Sequence, residues 1–265
     1  MRDHLAADLL TDCPPHLVLQ ALLAQNLMSF TEFAFSVVRP GIPFKTNWHL
    51  EAVTEKLSQV ASGKVRRLII TLPPRMLKSL SASVALPAWF LGHYPSERVV
   101  VVSYSDVLAR SHANDFRLLV NDRIYQAAFP AMCVGRENDR EITTTKRGKR
   151  IATSIEGTLT GLGGNLIVID DPLKLGDAMS ETVRARVIEW FRSTLLSRGD
   201  DKSATRIVVV MQRVHQNDPA HLPGPARQSG PVVAAIDAAI ELAGGRSEAR
   251  NSKLRSAGVC GQEIC

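Results

Sequence analysis

Four short runs constrain the fold most. Leu68–Ile70, Val99–Val102, Leu166–Ile169 and Ile207–Met211 are apolar without alternation. A strand that is apolar on both faces needs a cover of helices on each, the situation of a parallel sheet. The runs are strand-sized, far short of the ~20 residues that span a bilayer. Helical patterns separate them. Pro15–Val38 reads as two helices broken near Asn26–Ser29, and Leu50, Val53, Leu57 and Val60 mark one face of a helix over Asn47–Ala61. Lys78–Leu91, Ser105–Val120 (Ser105 as N-cap) and Ser180–Leu196 read as helices, and Glu141–Thr145 with Arg150–Ser154 as a hairpin around Gly148. The alternation predicts an α/β domain with a mostly parallel central sheet flanked by helices.

Composition narrows the class. With 45% hydrophobic and 22% charged residues in 265, the chain is not a disordered tail, a collagen or a small disulfide scaffold. The net charge of +6 is a weak pointer to a polyanionic partner. Cys13, Cys133, Cys260 and Cys265 form no CxxC pair, which suggests a reducing compartment. Met1–Leu10 carries Asp3 and Asp8 and has no basic stretch, so no signal peptide is expected.

In an open α/β sheet the ligand sits at the carboxyl ends of the strands, and three such ends carry suitable chemistry. After the first strand comes Leu72-Pro73-Pro74-Arg75-Met76-Leu77-Lys78-Ser79. A phosphate loop needs curled backbone N–H groups, a Lys for the β- and γ-phosphates and a Ser or Thr hydroxyl for Mg²⁺. Lys78-Ser79 stand at the required place, but Leu72 and Leu77 replace both consensus glycines. At the end of Leu166–Ile169, Asp170 and Asp171 match a strand whose Asp holds Mg²⁺ and whose neighbour polarises water. The alternative is that either Asp opens the turn before Pro172. After Thr205–Met211, Gln212 and Arg213 are either a γ-phosphate sensor or a strand end reaching solvent.

Together these stretches resemble the large terminase subunit of tailed bacteriophages, the ATPase that packages DNA into proheads. The likeness runs from about Trp48 to His221. Leu72-Pro73-Pro74-Arg75 leading to Lys78-Ser79 is similar to the family's deviant Walker A, and Leu166–Pro172 with Lys174 to its Asp-Asp-Pro Walker B. Pro87–Gly92, Ser103-Tyr104-Ser105, Thr158–Gly161, Glu189-Trp190 with Ser193-Thr194-Leu195, and Met211–His215 resemble further segments in order. The resemblance implies an additional-strand P-loop ATPase using ATP and Mg²⁺, with Pro74, Arg75, Met76, Leu77, Lys78, Ser79 and Gln212 around the nucleotide. It implies that Ser79 and Asp170 hold the metal, that Asp171 orients the water and that Arg75 reaches the γ-phosphate. It implies double-stranded DNA as partner, a small terminase subunit, a portal protein, a homo-oligomeric ring, and a place in the bacterial cytoplasm with no membrane. Trp48 and His49 fall in the segment resembling the adenine side, with a core helix as the other reading. Lys146-Arg147-Gly148-Lys149-Arg150 is either a DNA-phosphate contact or a solvated turn.

The chain departs from the family in two places. Thr160-Gly161-Leu162-Gly163 stands where members commonly have Thr-Gly-Arg-Gly. After His221 the likeness stops, and 222–265 holds no aromatic residue and few core anchors. The expected organisation is a helical segment over 1–45, an ATPase domain over 46–221 and a poorly ordered tail, with one helix conceivable at Val232–Leu242. The nuclease domain expected of the family has no counterpart here, which reads as a truncated copy, active or an inactive prophage remnant.

Overall fold

The apolar runs form the middle of the sheet, covered on both faces, and in Leu166–Asp170 every side chain is buried. The computed structural model describes residues 14–155, 157, 163–177, 179–190, 204–212 and 233–237. The strands are β1 (Arg67–Thr71), β2 (Arg98–Ser103), β3 (Val134–Glu137), β4 (Glu141–Thr144), β5 (Lys149–Ser154), β6 (Leu166–Asp170), β7 (Arg206–Met211) and β8 (Val233–Asp237). They form one eight-stranded sheet in the order β3-β4-β5-β2-β6-β7-β1-β8. All pairings are parallel except β3 with β4 and β4 with β5. β7 lies between β1 and β6, an inserted strand between the two that carry the candidate residues, consistent with the mostly parallel, additional-strand sheet expected from the sequence.

Helices α1 (Pro15–Gln25), α2 (Leu27–Val38), α3 (Trp48–Ala61), α4 (Leu86–His93), α5 (Asp106–Val120), α6 (Arg123–Ala128) and α7 (Glu181–Trp190) surround the sheet. Asn26 breaks α1 from α2 as expected, its side chain capping α2 by accepting from the Ser29 N–H at 2.9 Å. Ser105 caps α5 in the same way through the Leu108 N–H. Leu23, Leu27 and Phe30 of the first two helices join Leu57, Phe90, Phe116 and Val168 in the main core. Among the described residues no single helix is long and apolar enough to cross a membrane, and α1 and α2, apolar enough only together, meet at 108°.

Two expectations change. Lys78–Leu91 is not a uniform α-helix: Leu80–Ala85 winds as a π-helix before α4 begins. Val233–Asp237 is a strand parallel to β1, where a helix over Val232–Leu242 was conceivable. The remainder of 222–265 lies outside the described residues, as do Thr158–Gly161, Ser193–Leu195 and Arg213–His215.

The basic turn is partly absorbed by the fold. Lys149 pairs with Glu141 at 2.9 Å, which holds the Glu141 carboxyl below its usual range. Arg150 is 1% exposed beneath the Phe116 ring, and burial pulls its guanidinium down to about 9. Only Lys146 and Arg147 of its four cations are exposed. Gly148 closes the turn where a Cβ would meet the Pro95 carbonyl and lie 2.7 Å from the Glu97 carbonyl. Both are backbone atoms, so Gly148→Ala forces the strand apart. We expect it to destabilise the protein by about 1–3 kcal/mol in thermal melts; an unchanged melting temperature would show that the turn yields.

Candidate nucleotide site

Register brings the chemistry to one edge. Thr71 pairs with Met211, Asp170 with Val210, and Ser103 with Asp170, so the carboxyl ends of β1, β7, β6 and β2 lie level. Each strand then leads directly into its candidate residues: Leu72–Ser79, Gln212 and Asp171. The Leu72 N–H donates to the Met211 carbonyl and the Asp171 N–H to the Val210 carbonyl, which ties all three exits to one another.

The loop after β1 takes the shape that the missing glycines would favour. Leu77, at the second consensus glycine, has φ of 56°, and Arg75 has φ of 63°. Left-handed backbone costs a residue with a side chain roughly 1–2 kcal/mol. Such strain persists where surrounding structure imposes it, and it gathers at ligand-binding loops. Positive φ at Arg75 and Leu77, on either side of Met76, curls the loop in the manner of an anion-binding nest. Pro74 and Arg75 are exposed, while Met76 and Leu77 are half-buried.

Lys78 is 7% exposed, and its Nζ lies 3.0 Å from Asp171 Oδ2. Asp171 itself has φ of 45°, a conformation that aspartate tolerates better than most residues. Burial and the neighbouring Asp170 charge push the Asp171 carboxyl above its usual range, opposed by Lys78 and by the Gln212 backbone N–H. Gln212 thus touches the site through its backbone. Ser79 Oγ donates to Asp170 Oδ1 at 3.0 Å across 91 positions of sequence.

Asp170 is fully buried, and two further side chains meet its other oxygen. Ser83 Oγ donates to Oδ2 at 2.9 Å, and His112 Nε2 lies 2.9 Å from the same atom. The histidine is at pairing distance but off the line of a hydrogen bond. Neither residue was singled out from the sequence. Ser83 follows Ser79 by four positions, a helical spacing that was there to be read; His112 carries no local signal.

Beside the loop lies a cavity of about 210 Å³ lined by Arg75, Leu77, Lys78, Ser79, His112 and Asp115, among others. Arg39 pairs with Asp115 at 3.6 Å on its rim. His49 is buried with its ring bonded to the backbone of Met76, so α3 braces the loop after β1, while Trp48 is 43% exposed. The helix belongs to the core, as one of the two sequence readings has it, with His49 turned inward and Trp48 outward.

The donor set suits Mg²⁺. A hard cation takes oxygen ligands, few from protein and the rest from phosphate and water. Ser79 and Asp170 supply a hydroxyl and a carboxylate oxygen at one point. Asp171 Oδ1 and Ser103 Oγ, on the same edge, are buried without hydrogen-bond partners, as expected where a polar group completes the site.

The solved structures add a resemblance. The chain is similar to the large terminase of bacteriophage HK97, at 15% identity and a TM-score of 0.44, covering 71% of this chain and 37% of that one. It is also similar to the large terminase ATPase domain of Thermus phage P74-26, at 13% identity and a TM-score of 0.44, covering 69% and 70% respectively. The chain therefore spans little more than a third of the HK97 protein. No protein-family model and no curated protein sequence matches it.

Proposed function

We propose that this chain is a Mg²⁺-dependent ATP hydrolase of the terminase type, coupling turnover to translocation of double-stranded DNA. The observation that carries the reading is the meeting of Lys78, Ser79, Asp170 and Asp171 at one edge of an additional-strand sheet, below a loop held left-handed at Leu77. The ordered motif likeness from Trp48 to His221 supports the packaging role.

In this reading Ser79 and Asp170 hold Mg²⁺, which neutralises developing charge on the phosphates when it is bound. Lys78 is a positive point charge for the β- and γ-phosphates, held in place by Asp171 until nucleotide arrives. Asp171 is the group that orients water, and its raised pKa suits a proton acceptor. Arg75, exposed on the rim of the cavity, adds charge toward the γ-phosphate. Gln212 reports on the site through its backbone bond to Asp171. A ring of copies, a small terminase subunit, a portal protein and a bacterial cytoplasmic setting complete the proposal.

Calorimetry with ATP and Mg²⁺ tests it. Saturable heat that is strongly reduced, with weaker nucleotide affinity, in EDTA is expected. No heat would overturn the enzyme reading in favour of an inactive prophage remnant that keeps the fold and binds DNA or terminase partners passively.

A further inference from the structure

We infer that Ser83 and His112 are positioning residues that anchor one oxygen of the Asp170 carboxylate, so that the other is presented to Ser79. The inference rests on the reading of Ser79 and Asp170 as the metal pair.

The two oxygens have separate neighbours. Oδ1 faces Ser79 at 3.0 Å, whereas Oδ2 meets Ser83 and His112, each at 2.9 Å. A carboxylate with no exposure must be compensated by protein donors, and the donors chosen decide which way it faces. The Ser83 hydrogen bond and the close imidazole of His112, coming from two independent elements, together limit the rotation of the carboxylate about its own bond. Rotation would otherwise be the cheapest way for the metal-facing oxygen to drift, and supporting donors of this kind tune metal sites.

The local winding makes the arrangement possible. Ser79 and Ser83 both aim at Asp170 from the turn where the helix passes into its π segment, Leu80–Ala85. Single π turns often mark functional sites. Ser83 is fully buried, so its hydroxyl has no solvent role. His112 comes from α5, in its second turn, and is 7% exposed. Asp115, three positions further along α5, lines the same cavity and pairs with Arg39. A merely structural role would need the Ser83 donor to solvate Asp170, but would give no reason for His112 to crowd the same Oδ2 and leave Oδ1 to Ser79.

The test is metal affinity, read separately from turnover. Mn²⁺ binding in the presence of ATP is followed by electron paramagnetic resonance, and metal-free nucleotide binding by a fluorescent ATP analogue. Ser83→Ala and His112→Leu are expected to weaken Mn²⁺ binding by about 10–100-fold, with metal-free nucleotide affinity unchanged. Ser83→Thr, which keeps the hydroxyl donor, and His112→Gln, which keeps a polar group beside Oδ2, are expected to restore most of it. His112 lies on a separate helix, so it carries the test should Ser83→Ala fail to fold. Unchanged Mn²⁺ affinity in a folded loss variant, or a parallel fall in metal-free nucleotide binding, overturns the inference alone. If the parent protein binds nucleotide with no metal dependence, the proposed function falls, and this inference with it.

Discussion

Lys78→Ala is expected to lower ATP turnover by about 10²–10³-fold, the usual cost of removing one positioned group that stabilises developing charge. Lys78 is the only cation paired with Asp171 among the described residues, at 3.0 Å, and it is almost fully buried. Its removal should cost less in stability than in activity. The Asp171 carboxyl is already pushed upward by burial and by Asp170, so it can take up a proton rather than remain an uncompensated charge. Steady-state turnover and a thermal melt on the same sample check both halves. Unchanged turnover would show that the loop after β1 is not the phosphate site, whatever its shape. Lys78→Arg would not rescue, because the planar guanidinium does not replace a compact ammonium in so enclosed a place.

Asp170→Asn is the second large effect. Asparagine keeps the volume and can still accept from Ser79 Oγ, so packing survives. In the proposed reading, what is lost is the charge that would hold a divalent cation, worth several kcal/mol in the transition state, or on the order of 10³-fold in rate. Stability should stay level or rise, because the variant removes a carboxylate with no solvent exposure. Loss of metal-dependent turnover with a retained or higher melting temperature is the expected pair of results. Full turnover would reassign the Ser79–Asp170 bond to structure alone.

The candidate site is legible in the sequence wherever its residues are local to a strand end. Lys78-Ser79 and Asp170-Asp171 each sit directly after an apolar strand, and that adjacency is a short-range pattern. Leu77 appeared as a defect of the phosphate loop. In the folded chain the same leucine takes the backbone angle of the missing glycine, at a conformational cost that the surrounding contacts sustain. Ser83 and His112 escaped notice because their partner, Asp170, is 87 positions from Ser83 and on a different element from both.

Val233–Asp237 shows a different limit. Its Val-Ala-Ala-Ile-Asp is rich in alanine and reads as helix, yet it pairs parallel to β1 from Arg67 to Thr71. Strand preference depends on the neighbour available, and the open edge of β1 supplies one. The basic turn shows the converse. Five residues that looked like one charged patch are divided by the hairpin into an ion pair, a buried guanidinium and two exposed cations.

By itself, the sequence determined the α/β class and where on each strand the reactive side chains fall, because apolar period and strand-end polarity are properties of a few consecutive residues. Only the tertiary structure decided that those ends lie level. It inserted β7 between β1 and β6 and turned Oδ1 of Asp170 toward Ser79 and Oδ2 toward Ser83 and His112. The physical reason is that a buried carboxylate is compensated by whichever donors the packed helices bring to it. That choice is made by strand order and helix winding, across distances in sequence that no local pattern spans.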